Sequence, residues 1–136
     1  MIRLYAQIGG IFLIMAGLFG FLVGEHSILE PLDIYYVEDA VHLLLGAVLA
    51  YAGLTTHGQR FLGAAVGGAA ILAMLIGVAG FTPISHWFAE HGVDPRPWGM
   101  AHSVFHFAIG VPTLAVWYWS RRQAKIGDTV TLHTRA

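Results

Sequence analysis

The sequence predicts an all-α integral membrane protein, with four transmembrane helices forming an up-down bundle from two duplicated helical hairpins and both termini in the cytoplasm. Three observations lead there. Hydrophobic residues make up 57% of the 136-residue chain, against only seven Lys and Arg and eight Asp and Glu. A soluble domain of this size carries roughly a quarter charged residues and has no core large enough to hide so much apolar surface. The apolar residues fall into four segments, each near the ~20 residues that cross a ~30 Å hydrocarbon layer at ~1.5 Å per residue. The charges, finally, sort by sign between alternate connections.

The first segment, about 4–23, is apolar apart from Tyr5, Gln7 and small residues. It is longer than the ~7–15 residue apolar region of a cleaved leader, and no A-x-A site follows it, so it is expected to remain. A polar stretch from Gly24 to Asp33 precedes the second segment, about 37–56, which carries Glu38, Asp39 and His42 near its start. Thr55 to Arg60 leaves room only for a tight helix hairpin. The third segment, about 61–81, is apolar and rich in Gly and Ala. The connection from Thr82 to Trp98 contains Pro83, Pro95 and Pro97, and the fourth segment, about 99–120, contains Pro112, where a kink is expected. The remainder, 121–136, is expected to be a mobile polar tail on the cytoplasmic side. The transmembrane domain is thus 1–120.

Orientation follows from charge. Arg3, Arg60, Arg121, Arg122, Lys125 and Arg135 flank the start, the middle hairpin and the tail, and only Arg96 lies on the other side. Glu25, Glu30, Asp33, Glu38, Asp39, Glu90 and Asp94 take that opposite side. Excess Lys and Arg mark the cytoplasmic face. Aromatic residues stand where interface anchors belong: Tyr5, Trp117, Tyr118 and Trp119 inside, Tyr35, Tyr36, Trp87 and Trp98 outside.

The second half of the chain echoes the first. Ile8-Gly9-Gly10 parallels Val66-Gly67-Gly68, and Gly17-x-x-Gly20 parallels Gly77-x-x-Gly80. Val41-His42-Leu43-Leu44-Leu45-Gly46 parallels Phe105-His106-Phe107-Ala108-Ile109-Gly110. Two like-oriented hairpins make this a parallel repeat, with His42 and His106 at similar depths.

Asp39-Ala40-Val41-His42-Leu43-Leu44-Leu45-Gly46 and Ser103-Val104-Phe105-His106-Phe107-Ala108-Ile109-Gly110 resemble the repeated N-x-x-H-[LF]-x-x-G step of an uncharacterised family of small bacterial membrane proteins. That family is a domain of unknown function with many actinobacterial members. The resemblance covers nearly the whole chain and implies the four-helix topology, but no activity. Asp39 and Ser103 stand where the family usually has Asn, and His102 is an addition to its pattern.

His42, His102 and His106 are the candidate cofactor-binding residues, and with Glu38 they are the candidate metal ligands. Glu38 and His42 are four residues apart, as are His102 and His106, so each pair shares a helical face. Each histidine heads a stripe of small residues, His42-Gly46-Ala50 and His102-His106-Gly110, which allows close helix approach and turns the imidazoles into the bundle. Ionisable groups at such depth mark function. Three readings stand open. The imidazoles hydrogen-bond to one another or to carbonyls and lock the hairpins together. Alternatively they ligate haem, a (bacterio)chlorophyll or a transition metal, with Gly46 and Gly110 leaving room for a flat macrocycle. In the third, Glu38, Asp39 and the histidines form an outer polar funnel that handles protons or small solutes.

Other features point to packing. Gly46, Gly110, Gly67 and Gly68 are expected at helix contacts, and the Gly- and Ala-rich third segment at contacts with partner membrane proteins. The Gly-Gly pairs are not phosphate loops, because no Lys-Ser/Thr step accompanies them. His26, His57, His86, His91 and His133 lie in connections or the tail, where solvation is the expectation. No cysteine is present, which removes disulfides, thiolate metal sites and cysteine nucleophiles. No nucleophile–base pair suggests hydrolysis, and nothing suggests nucleic-acid binding. The expected role is that of a non-enzymatic accessory or scaffold subunit in a larger complex of the bacterial inner membrane. The lipid bilayer and other membrane subunits are its expected partners.

Overall fold

The structure, a computed structural model, describes residues 1–23, 36–55, 59–79, 81–83, 87, 90–91 and 100–133. Among these residues it is all-helical, with four long helices: α1 (Ile2–Val23), α2 (Tyr36–Leu54), α3 (Gln59–Ala79) and α4 (Met100–His133). By length and composition α1, α2 and α3, the last counted from Arg60, could each cross a membrane. Among the described residues α4 falls short of that measure. Its first half is diluted by His102, Ser103, His106 and Thr113, and its second half carries Arg121 and Arg122. The fourth helix also runs on to His133, through Pro112 and well past the break expected at 120. The residues beyond the apolar stretch, Arg121-Arg122-Gln123-Ala124-Lys125, are good helix formers, so polarity ends the membrane pattern without ending the helix.

The chain is built inside out by the standards of a water-soluble bundle. Bulky apolar side chains face outward, with Leu22 86% and Leu75 63% exposed, while much of the interior is Gly and Ala. In lipid this arrangement costs nothing, because helices associate there through close packing of small residues.

The helices pair as two antiparallel hairpins. Along α1 and α2, Gly10 lies against Gly46 and Ala50, Gly17 against Asp39 and Leu43, and Gly53 against Arg3 and Gln7. A Cβ on Gly46 would come within 2.8 Å of the Gly10 carbonyl oxygen and the Ile14 nitrogen, so the two backbones are in contact. At the far end of α2, Arg3 Nη1 donates to the Thr55 carbonyl at 2.8 Å and Gln7 Nε2 to the Gly53 carbonyl at 2.9 Å. These bonds satisfy carbonyls that a helix C-terminus leaves unpaired.

The α3–α4 hairpin is looser and relies on side chains set over small residues. Gly77 sits beneath the Phe107 ring, Gly67 beneath the Trp117 indole, and Gly110 beside Ala73 and Met74. Phe81 and Phe107 add a ring contact at 5.7 Å. Gly9, Gly63 and Gly68 have nothing within 4 Å of where a Cβ would stand, so the packing expected at Gly68 finds no neighbour among the described residues. Gly80 lies outside the described residues.

The hairpins join at both ends. At one end Ala6, Leu49, Ala52, Leu62, Val66 and Ala69 form a dry cluster. Nearby, the Tyr5 hydroxyl donates to Thr113 Oγ1 at 2.6 Å, and Thr113 in turn donates to the Ile109 carbonyl at 2.7 Å. Tyr5 therefore reaches across the bundle instead of anchoring at a lipid interface. Tyr118 and Trp119 are exposed, as interface residues should be; Tyr35 and Trp98 lie outside the described residues. The other end of the hairpin junction is polar.

Candidate functional site

That polar end is made by the first turns of α2 and α4. His42 and His106 each lie six residues past the first residue of their helix, Tyr36 and Met100, about 9 Å along the axis at ~1.5 Å per residue. The i,i+4 spacing then aligns Glu38 with His42 on α2 and His102 with His106 on α4. Gly20 and Gly17 let α2 press against α1 at this level, which turns Glu38 towards the second hairpin while Asp39 packs onto Gly20.

Glu38 is the centre of the cluster. Its Oε1 lies 3.2 Å from His102 Nε2, 3.7 Å from His42 Nε2 and 4.0 Å from His106 Nε2. The first is a close carboxylate–imidazole contact, and the other two are too long for a hydrogen bond. The His102 and His106 rings stack in a tilted arrangement at 4.3 Å. The second nitrogen of His106, Nδ1, lies 2.9 Å from the His102 carbonyl oxygen. A carbonyl can only accept, so Nδ1 carries the proton and Nε2 presents its lone pair to Glu38 and His42. A backbone carbonyl holding the remote nitrogen in this way is the usual support of a metal-ligating histidine.

The donor atoms of Glu38, His42 and His106 all lie within 4.8 Å of one another. Two ligands on one ion, each bonded at about 2.0–2.2 Å, stand roughly 3–4.2 Å apart depending on the angle between them. The spacings of 3.7 and 4.0 Å already fall in that range. The widest pair needs to close by only a fraction of an ångström. Two imidazoles and one carboxylate form a donor set for divalent first-row metals. His102, close against the carboxylate, would orient it from outside the ligand shell.

The four residues singled out from the sequence as ligands are therefore together in space, and His42 and His106 do share a depth. Among the described residues no hydrogen bond joins His42 to His106 directly; the closest contact between the hairpins in this cluster is Glu38 with His102. The glycines beneath them offer no slot for a flat macrocycle. Gly46 is filled by Gly10 and Ile14, and Gly110 by Ala73 and Met74. Haem or a chlorin thus fits this arrangement poorly, whereas a single ion fits it well. Among the described residues no polar path leads from the cluster through the bundle, where Ala6, Leu49, Leu62 and Val66 pack in a dry cluster.

Asp39 and Ser103, at the matching positions of the two repeated steps, are 5% and 0% exposed. Asp39 Oδ2 and Ser103 Oγ have no hydrogen-bond partner among the described residues. Burying either group was not legible from the sequence, since a carboxylate one residue from Glu38 reads as part of the same polar face. The connection residues Glu25, His26, Glu30, Asp33, His57, His86, Asp94 and Arg96 lie outside the described residues.

No family model, no curated protein and no solved structure matches this chain.

Proposed function

We propose that the chain is a non-enzymatic accessory protein of the bacterial inner membrane that binds one divalent transition-metal ion between its two hairpins. Glu38, His42 and His106 are the ligands, and His102 positions the Glu38 carboxylate. One observation carries the reading. His42 and His106 hold their Nε2 atoms 3.7 and 4.0 Å from one carboxylate oxygen, too far to bond to it and at the separation of two ligands sharing an ion. The ion would tie α2 to α4 at the polar end of the bundle, so its role is to fix the relative position of the hairpins. The ligands come from elements that are far apart in the chain, so the folded bundle binds and the unfolded chain does not.

All four helices cross the bilayer in this reading, with both termini cytoplasmic and the metal in the outer half. The charge asymmetry supports this orientation, and the paired H-x-x-x-G steps support descent from a duplicated hairpin. Gly63 and Gly68 of α3, which meet nothing within 4 Å, leave that helix open to another membrane component, whether a protein subunit or a lipid.

Metal content tests the function. The full chain in detergent, loaded with Zn2+, Mn2+ or Co2+ and desalted, should retain about one ion, and at 100-fold the dissociation constant the ion should stabilise it by ~2.7 kcal/mol. Glu38→Gln, His42→Ala and His106→Ala should each lose the ion and the stabilisation together. Wild-type protein that keeps no ion from any of the three metals would overturn the reading. Because the chain has no cysteine, single cysteines at Thr55 and Thr82 test the orientation with a membrane-impermeant maleimide applied to intact cells. Thr82→Cys should react and Thr55→Cys should not; the reverse result would invert the topology.

A further inference from the structure

At the opposite end of the bundle from the Glu/His cluster, α3, α4 and the start of α1 line an open groove of about 800 Å³. Gly63, Gly67, Gly68 and Ile71 of α3 and Trp117 of α4 line it, with Gly67 beneath the indole and Gly63 and Gly68 open. Arg60 and Arg121 stand at its mouth. Arg121 lies over the Trp117 ring at 5.1 Å, which holds the guanidinium beside the groove. Among the described residues neither arginine has a carboxylate partner; Glu38, Asp39 and Glu90 are towards the other end of the molecule, and Asp128 lies two turns beyond Arg121 on α4.

We infer that this groove binds one anionic phospholipid of the inner leaflet, its phosphate between Arg60 and Arg121 and one acyl chain along the α3 glycines. Charge complementarity selects the headgroup, since two guanidiniums with no carboxylate partner among the described residues, at the polar boundary of a membrane helix, favour a phosphate with forked hydrogen bonds. Length selects a lipid over a free anion. From Arg60 to Ile71 is eleven residues, about 16 Å along the helix at ~1.5 Å per residue. Half of the ~30 Å hydrocarbon layer is ~15 Å, the depth one leaflet occupies. The groove thus runs from headgroup level to the midplane. Glycine along it supplies the width, because any side chain at 63 or 68 would stand in the channel.

The inference rests on α3 spanning the bilayer and not on the metal centre. Native mass spectrometry of the full chain, titrated with phosphatidylglycerol and with phosphatidylcholine of the same acyl chains, tests it. At about fivefold per arginine, phosphatidylglycerol should bind one site roughly 30-fold more tightly than phosphatidylcholine. The double substitution R60Q/R121Q should erase that preference while leaving residual binding of both lipids. G68L, which meets nothing within 4 Å, should block both lipids without loss of helix content by circular dichroism, and G63L serves as a second block. G9L, at an equally open position on another helix, should change nothing, and glycerol 3-phosphate alone should not compete. Equal affinity for the two lipids in the wild type, a preference that survives R60Q/R121Q, or saturable phosphatidylglycerol binding that survives both G68L and G63L would each overturn the inference.

Discussion

His106 shows how little a residue's identity says until both of its nitrogens are placed. Its Nδ1 proton goes to the His102 carbonyl at 2.9 Å, which commits Nε2 to the role of acceptor or ligand. Nε2 then finds Glu38 at 4.0 Å, a distance that leaves it unsatisfied until something sits between them. His102 differs, because its Nε2 lies closer to the carboxylate, 3.2 Å from Glu38 Oε1. This division of labour makes a prediction at the scale of one side chain. His102→Asn should weaken metal binding about 10–100-fold, the usual cost of losing an orienting group, while the loaded protein still holds one ion. Isothermal titration with Zn2+ checks it. A loss of stoichiometry instead of affinity would make His102 a ligand and remove its positioning role.

At the scale of helices, the two hairpins solve the same problem differently. The α1–α2 pair brings backbones into contact at glycine, while the α3–α4 pair sets Phe107 and Trp117 over Gly77 and Gly67. Substitution should therefore separate the glycines into two classes. A Cβ on Gly10 would meet the backbone of Ala50 and Gly46, and a Cβ on Gly20 would meet the Asp39 carboxylate. Gly10→Ala and Gly20→Ala should each cost ~1–3 kcal/mol, the first because backbone cannot step aside and the second because the buried Asp39 side chain would be displaced. Gly9→Ala, with nothing within 4 Å, should be neutral or slightly stabilising. Thermal unfolding in detergent measures both; equal effects at positions 9 and 10 would contradict the packing described. The sequence carried the helices well, because apolar segments bounded by Gly, Pro and charge are set by the chain itself. It could not say which member of a Gly-Gly pair faces a neighbour, since that depends on the rotation of α1 about its axis. Nor did it mark Tyr5 as a cross-bundle donor, because its partner Thr113 lies on the last helix, far along the chain. The run of α4 to His133 was hidden for another reason: a change from apolar to charged residues was read as the end of a helix, although Arg, Gln, Ala and Lys all favour one.

For the whole molecule, the two hairpins meet through unlike ends, one dry and one ionisable. The dry end gathers Ala6, Leu49, Leu62 and Val66, which lipid tails would solvate almost as well, so it specifies contact only weakly. The Glu/His end is different, because four polar groups in a bilayer must satisfy one another or an ion. Sequence spacing placed each pair on one face but could not bring the pairs together, since that requires α2 and α4 to be neighbours in the bundle. The account therefore stands on what occupies the space between Glu38, His42 and His106. X-ray absorption at the zinc edge, on Zn2+-loaded full chain in detergent, reports that directly. The prediction is a shell of N and O donors at about 2.0–2.2 Å with the outer-shell scattering of two imidazoles, and no retained zinc in His106→Ala. A shell of oxygen donors alone, unchanged by His106→Ala, would show that the histidines hold only the bundle and would contradict the metal centre.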